Sequence, residues 1–568
     1  MNIDKKNIKK GILGLCMGYI VVKIGVLIKD KIVAKKLKKE AEQFVAARNA
    51  KKLQIPPISD EKKQRILRLK AYQVKEALLQ GDFTIEEIFF TYVEKAQTIG
   101  RELNLSAEEL FEESLKSLQT LPDGPLYGVL IAVKDEIFQK NCHSSGGLIR
   151  KIHEEDPTES ILITSLRNKG AIPFLRSNLM QLMMWFECTN NLYGRAENPL
   201  DPKRTTGGSS GGSAGLVASG SAMIAIGSDY AGSIRIPASF CGLYGFKSTS
   251  SRSSKENTVK THPKAAPPGE IICPYSHGPI GKCVEDLILV LDCWWQDTMW
   301  KTDFIVPPLT FNYEVYRSNR KLRVGVFDFN KIFPCAPVVK DAVRDAARRL
   351  ENDGYEIVEF DTGMMTKGCD LFVRSAFGSE SKHLIEELQG DYPAWPYLAD
   401  YLDYKIPLFG LFSLHLLKLS GFHITYKFLS NVKKLSFQEF CELCQEISSF
   451  RFDFNVYWQS LNLDVLICPI WPLVAPFHET TFDLAPCFSY CFIWNLLDYP
   501  AGVVPVKKVR QGEDIFPYEN NDATYRVAKE CMKDSVGLPV SVQVVANVNQ
   551  DEKALNIMKV LQGYYQYE

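Results

Sequence analysis

The stretch from residue 205 to residue 249, TTGGSSGGSAGLVASGSAMIAIGSDYAGSIRIPASFCGLYGFKST, constrains this chain more than any other. Eleven of the fifteen residues from Gly207 to Ser221 are Gly or Ser, a composition that usually marks a flexible linker. Here the run leads straight into a small-residue helix (SAGLVASGS), an apolar strand (AMIAIG) and a second tight turn (SDYAGSIRIP). Linkers carry no such pattern. The run must instead form ordered structure, with two tight turns made of small residues.

Other glycine-rich motifs fail on detail. A phosphate-binding Walker loop ends in Gly-Lys-Ser/Thr, and this run has no lysine; the dinucleotide pattern GxGxxG is not met at the strand exit. Gly211-Gly212-Ser213-Ala214-Gly215 satisfies GxSxG, the nucleophile elbow of α/β-hydrolases. That elbow needs a strand immediately before it, and ENPLDPKRTTGG is polar and turn-forming. Its triad would have to draw on residues such as Asp464 and His478.

Lysines plus arginines equal aspartates plus glutamates at 67 each, so no bulk positive field exists to attract nucleic acid. The 568 residues suit three to four average domains or one large α/β enzyme, and the hydrophobic fraction of 46% supports a sizeable core. The fifteen cysteines are scattered through apolar stretches, which predicts reduced, mostly buried thiols. Cys441 and Cys444 have CxxC spacing without the further ligands of a zinc site, and read as buried helix cysteines.

Residues 1–35 read as an amino-terminal membrane anchor: Gly11 to Ile28 is apolar apart from Lys23 and is flanked by lysines on both sides. Such a run only just reaches the length of a membrane span. No small-residue cleavage site follows it, and an interfacial helix is the alternative to a spanning one. The slight lysine bias leaves the body of the protein on the cytosolic side, and the expected location is an endomembrane such as the endoplasmic reticulum. Residues 36–118 read as helical, with Thr84 and Glu87 at capping-box spacing.

From residue 119 to 568, helices alternate with short apolar strands, beginning with GPLYGVLIAVKDEIF, which carries Lys134 near its end. The rhythm predicts one α/β catalytic domain, a central twisted mixed β-sheet covered by helices on both faces. Ser250 to Pro268 and Lys507 to Asp522 read as surface insertions. Between about 404 and 438, lysines without acidic residues accompany Leu408, Leu411, Phe412, His415, Leu416 and Leu419 at helical spacing. That pattern fits a cap lying on a membrane surface or a core helix with solvated lysines.

GGSSGG followed some twenty residues later by DYAGSIRIP, with LYGVLIAVKDE upstream, resembles the amidase-signature family. CTNNLYGRAENP, NLDVLICPIWPL, LDYPAGVVPV and SVGLPVSVQVVA extend the likeness to its fatty acid amide hydrolase branch, from about residue 60 to the end. The resemblance implies the amidase-signature fold and a Ser-Ser-Lys triad. Ser233 matches the nucleophile, Ser209 the bridging serine held by an unusual cis peptide bond, and Lys134 the base. It further implies an oxyanion hole from the backbone N–H groups of Tyr230, Ala231, Gly232 and Ser233, with Ser210, Asp229 and Arg235 as supports. Ala231 departs mildly from the family pattern. Met183, Met184 and Phe186 match positions lining an acyl channel, although ordinary core packing explains such residues equally well.

The chemistry fits those residue types. A serine hydroxyl needs an adjacent base. A free lysine, with a pKa of about 10.4, becomes one only when desolvated. As a lone lysine, Lys134 would otherwise read as a structural partner of Asp135 or Glu136, and only its match to the family strand reverses that. The expected activity is hydrolysis of fatty acid amides (N-acylethanolamines or primary amides) through an acyl-enzyme, with no metal or cofactor, on a membrane surface, by a homodimer. Rival readings are an amidase of non-lipid amides, an amidotransferase A-type subunit, and a non-catalytic lipid-binding protein on the same scaffold.

Overall fold

The computed structural model describes residues 29–259, 272–377, 385–388, 390–405, 416–430, 432, 435–565 and 567. The apolar run Gly11 to Ile28, and Leu408, Leu411, Phe412 and His415 of the expected cap, lie outside them. Among the described residues no helix is long and apolar enough to cross a membrane.

A single mixed sheet of eleven strands organises the molecule. In chain order these are β1 (Ser106–Glu109), β2 (Leu130–Lys134), β3 (Ile172–Ser177), β4 (Ile224–Asp229), β5 (Tyr244–Lys247) and β6 (Ser276–Gly281), then β7 (Arg323–Val326), β8 (Glu356–Glu359), β9 (Val465–Pro469), β10 (Ala501–Lys508) and β11 (Pro539–Ala546). Their spatial order is β1-β3-β2-β4-β6-β5-β10-β11-β9-β7-β8. β2 runs parallel to both β3 and β4, while β6 pairs antiparallel with β4. Helices flank the sheet, as the alternating pattern predicts. β2 and β4 are buried along their whole length, which is why LIAVK and IAIG show no polar alternation.

The capping box expected at Thr84 is present: its hydroxyl accepts from Glu87 N–H at 3.2 Å, and Glu87 accepts from Thr84 N–H at 2.9 Å. A helix over residues 29–50 lies against the body through Leu37 and Ala41, which pack with Ile149, Ile152, Leu192 and Tyr193. At its start Asp30 accepts from Tyr401 Oη at 2.5 Å and pairs with Lys405 at 3.2 Å.

Three expectations need correction. The 36–118 segment is not wholly helical, because Ser106–Glu109 adds an edge strand antiparallel to β3. Residues 250–259 are not a surface insertion: Ser250, Arg252 and Ser254 are buried. Asp498 takes the Ser250 hydroxyl, Glu552 the Arg252 guanidinium and Asp303 the Ser254 hydroxyl, so polar side chains go inside with their partners. Lastly, Cys441 is exposed and Cys444 half-buried on the helix Phe437–Ser460, whereas the other described cysteines are buried free thiols.

Candidate active site

The parallel strands β2 and β4 deliver their carboxyl ends to one place. Val133 is the register partner of Ile226, so Lys134 arrives beside the Ser228-Asp229 end of β4. Open α/β sheets place their ligands at such strand ends. Lys134 is fully buried, and its Nζ donates to Ser209 Oγ at 2.8 Å and to Ser228 Oγ at 2.8 Å. Burial pushes the Lys134 ammonium down from its ordinary proton affinity, against an opposing pull from Glu136, whose Oε1 lies 3.4 Å from Nζ. Asp135 turns the other way, to Arg176 at 3.2 Å, following the two-residue alternation of a strand. Burial raises its carboxyl to about 7 despite Arg176.

Ser209 sits in the first small-residue turn, after a cis Gly208–Ser209 peptide bond. Gly208 cannot be larger: a Cβ there would lie 2.7 Å from Glu187 N and 2.8 Å from Phe186 C. Ser210 joins the two turns, its N–H donating to Ser233 O at 3.2 Å and its hydroxyl to Ser228 O at 3.2 Å. The helix Gly211–Ala218 follows at once, and places Ser213 inside it with its hydroxyl 2.6 Å from that of Ser177, so the GxSxG match forms no elbow.

The second turn is held from within by Asp229. Its carboxylate accepts from Gly232 N–H at 2.8 Å and Ile234 N–H at 3.1 Å, and pairs with Arg235 at 2.9 Å. Burial would raise the Asp229 carboxyl, but the adjoining guanidinium overrides it and holds the group well below the usual carboxylate range. Arg235 in turn donates to Gln543 Oε1 at 2.7 Å, Asn495 Oδ1 at 2.6 Å and Cys491 O at 3.1 Å. Gly232 adopts φ +122°, and a Cβ there would meet Cys491 Cβ at 2.9 Å. Of the four expected oxyanion donors, Gly232 N–H is thus already engaged by Asp229. Among the described residues no acceptor is seen for the N–H of Ala231 or Ser233. Ser233 itself is 8% exposed.

Met183 and Met184 are half-buried; Met184 packs against Met180, Ala394 and Tyr397. Phe186 is buried, 4.7 Å from Trp185, 4.8 Å from Phe488 and 5.3 Å from Trp471 between ring centroids. Sequence reasoning missed Ser228, Asn495 and Gln543. The last two carry a usable signal, a lone amide within an apolar run (SYCFIWNLL and SVQVVA), which a buried strand or helix tolerates only with a partner.

The α/β fold thus buries a lysine and two small-residue turns at adjoining strand ends, the parts that the amidase-signature resemblance called for. The chain belongs to the amidase-signature family: the family model described as Amidase matches residues 87–555. It is 32% identical to fatty-acid amide hydrolase 1 of Sus scrofa over 525 residues, 89% of this chain and 87% of that protein. It is 28% identical to fatty acid amide hydrolase 1 of Caenorhabditis elegans over 511 residues, 86% of this chain and 87% of that one. In fold it resembles a solved fatty acid amide hydrolase, with TM-score 0.75 at 20% identity over 94% of both chains.

Proposed function

We propose that this enzyme hydrolyses fatty acid amides through Lys134, Ser209 and Ser233. Neutral Lys134 takes the proton of Ser209, which takes that of Ser233 as its Oγ attacks the amide carbonyl. The proton returns through Ser209 to the leaving amine, and water then cleaves the acyl-enzyme. The 2.8 Å contact between Lys134 and Ser209, sealed from solvent, supports the first half of this relay. The unengaged N–H groups of Ala231 and Ser233 suit a developing oxyanion, where losing one donor typically costs about 100- to 1000-fold in rate.

The observation that carries the lipid assignment is a chain of aromatic rings leaving the nucleophile turn. Tyr230 lies 5.7 Å from Phe372, which stacks at 4.4 Å on Phe492. Phe492 then meets Phe428, on the helix His423–Leu429 of the basic segment, at 6.0 Å, and Phe488 at 5.3 Å. Phe186 and Trp185 continue the second branch. An alkyl chain laid along such rings would be anchored by about 0.8 kcal/mol for each buried methylene. The same basic segment exposes Leu416, Leu419 and Phe437. Asp30, two residues beyond the apolar run, is tied to Tyr401 and Lys405 at its border. Both features fit one membrane-facing side, with the amide entering from the lipid.

The test is hydrolysis of oleamide and an N-acylethanolamine beside acetamide, with Ser233→Ala as control. We expect kcat/KM for the long amides to exceed that for acetamide by at least about 100-fold, as burial of several methylenes requires. Comparable values would remove the lipid assignment, and residual turnover in Ser233→Ala would remove the nucleophile.

A further inference from the structure

The relay above makes no use of the buried acid beside its base. Glu136 N–H donates back to Lys134 O at 2.8 Å and Ile137 N–H donates to the same carbonyl at 3.0 Å, so the chain folds sharply as β2 ends. The fold returns the side chain two residues on to the Lys134 side. Glu136 is 4% exposed, its Oε1 lies 3.4 Å from Lys134 Nζ, and that oxygen has no hydrogen-bond partner among the described residues. Nζ spends its two short contacts on hydroxyls, Ser209 and Ser228. The carboxylate is therefore close enough to act on the charge of the amine without holding it in a tight bond.

The other charged and titratable groups facing this pair are few. Cys188 acts on Lys134 from one side, but burial raises its thiol to about 12, so it stays uncharged. Asp229 acts from the end of β4, already neutralised by Arg235. His277 acts from β6, where it is the register partner of Ser228, so the two side chains share a face of the sheet. Its Nδ1 lies 3.1 Å from Ser254 O, and its Nε2 is buried without a partner among the described residues. Burial lowers this imidazole to about 4 although Glu136 pulls the other way, and Lys255 is its remaining charged neighbour. Of the two described carboxylates acting on Lys134, Asp229 is paired with a guanidinium and Glu136 is not.

We infer that Glu136 is a positioning residue for the hydrolysis, a buried carboxylate whose place 3.4 Å from Lys134 Nζ sets the pH at which that lysine becomes a base. This rests on the reading of Lys134 as the base of the relay. While Lys134 is an ammonium, Nζ has no lone pair for the Ser209 proton. Raising the pH removes that proton from Lys134 to solvent, leaving the amine, and the relay opens. An opposite charge within about 4–6 Å raises a base by about one to three units. Glu136 thus holds the acid limb of the reaction at a higher pH than burial alone would set.

Labelling of Ser233 by a fluorophosphonate, followed against pH in the full-length enzyme, tests this without needing the natural substrate. For the wild type we expect a labelling rate that rises through an acid limb, and for Lys134→Ala a slow rate without that limb. In Glu136→Gln the limb should fall by about one to two pH units, so that labelling below the wild-type limb becomes about ten- to a hundredfold faster. A Glu136→Gln limb at the wild-type position, in a protein whose Lys134→Ala variant has lost it, overturns the role of Glu136 and leaves the relay standing. A limb that survives Lys134→Ala overturns the relay itself. Should Glu136→Gln fail to fold, Glu136→Asp is read instead. Withdrawing the carboxylate by one methylene must move the limb in the same direction by less, and an unmoved limb rejects the inference.

Discussion

Two buried cations stand at the ends of neighbouring parallel strands, and the fold treats them in opposite ways. Arg235, just beyond β4, is wrapped: the Asp229 carboxylate at 2.9 Å, the Asn495 and Gln543 amides, and the Cys491 carbonyl accept its hydrogens. Lys134, at the end of β2, has two serine hydroxyls and one carboxylate at 3.4 Å. Both are fully buried, so the cost of desolvation acts on both. Where the charge is fully paired it is permanent and braces the turn that carries Ser233. Where it is poorly paired the group is driven toward neutrality, the condition a lysine base needs. The difference lies in the partners, not in the depth of burial.

The Arg235 side is broken most severely by removing the cation and leaving its anion. Arg235→Met strands Asp229 in the core and should cost about 3–5 kcal/mol of stability in urea unfolding, with Asp229→Asn in the same chain recovering most of it. An Arg235→Met protein as stable as the wild type would mean that the turn does not depend on the pair. Asn495→Ala cuts less deeply. Its amide donates to Asp229 O at 3.1 Å and Asp229 Oδ1 at 3.0 Å, so about 1–3 kcal/mol should be lost by the same measurement, with the ion pair itself retained.

How much of this could be read from the chain follows the same division. The apolar strand ending in Lys134 and the two small-residue turns are local patterns, and the structure brings Lys134 and Ser209 within hydrogen-bond reach. The partners that decide each cation's charge are not local: Asn495 and Gln543 lie hundreds of residues from Arg235, one on the helix Ser489–Leu496 and the other on β11, and only the fold brings them to it. Periodicity also failed where burial is polar. Ser250 and Arg252 sit in a stretch rich in serine and lysine, and only the arrival of Asp498 and Glu552 makes their burial tolerable. In the same way SAEE has no strand signal of its own, and becomes β1 because the edge of β3 is there to pair with it.

The finest distinction between the two cations is thermodynamic. Burial depresses the proton affinity of Lys134 in the folded enzyme, whereas the unfolded chain restores it to about 10.4. Between those two values the unfolded state binds more protons than the folded one, so stability rises with pH across that window. Lys134→Met has no such proton to lose. The wild type should therefore gain stability relative to Lys134→Met as the pH is raised from about 8 to 10, by no more than about 1.4 kcal/mol per unit, in urea unfolding of the two proteins side by side. Arg235 cannot contribute to that slope, because Asp229 holds its guanidinium above the ordinary value. A difference that stays flat would show Lys134 keeping its proton as firmly inside the fold as outside it. The amine would then be a second structural cation, and the contrast with Arg235 would vanish.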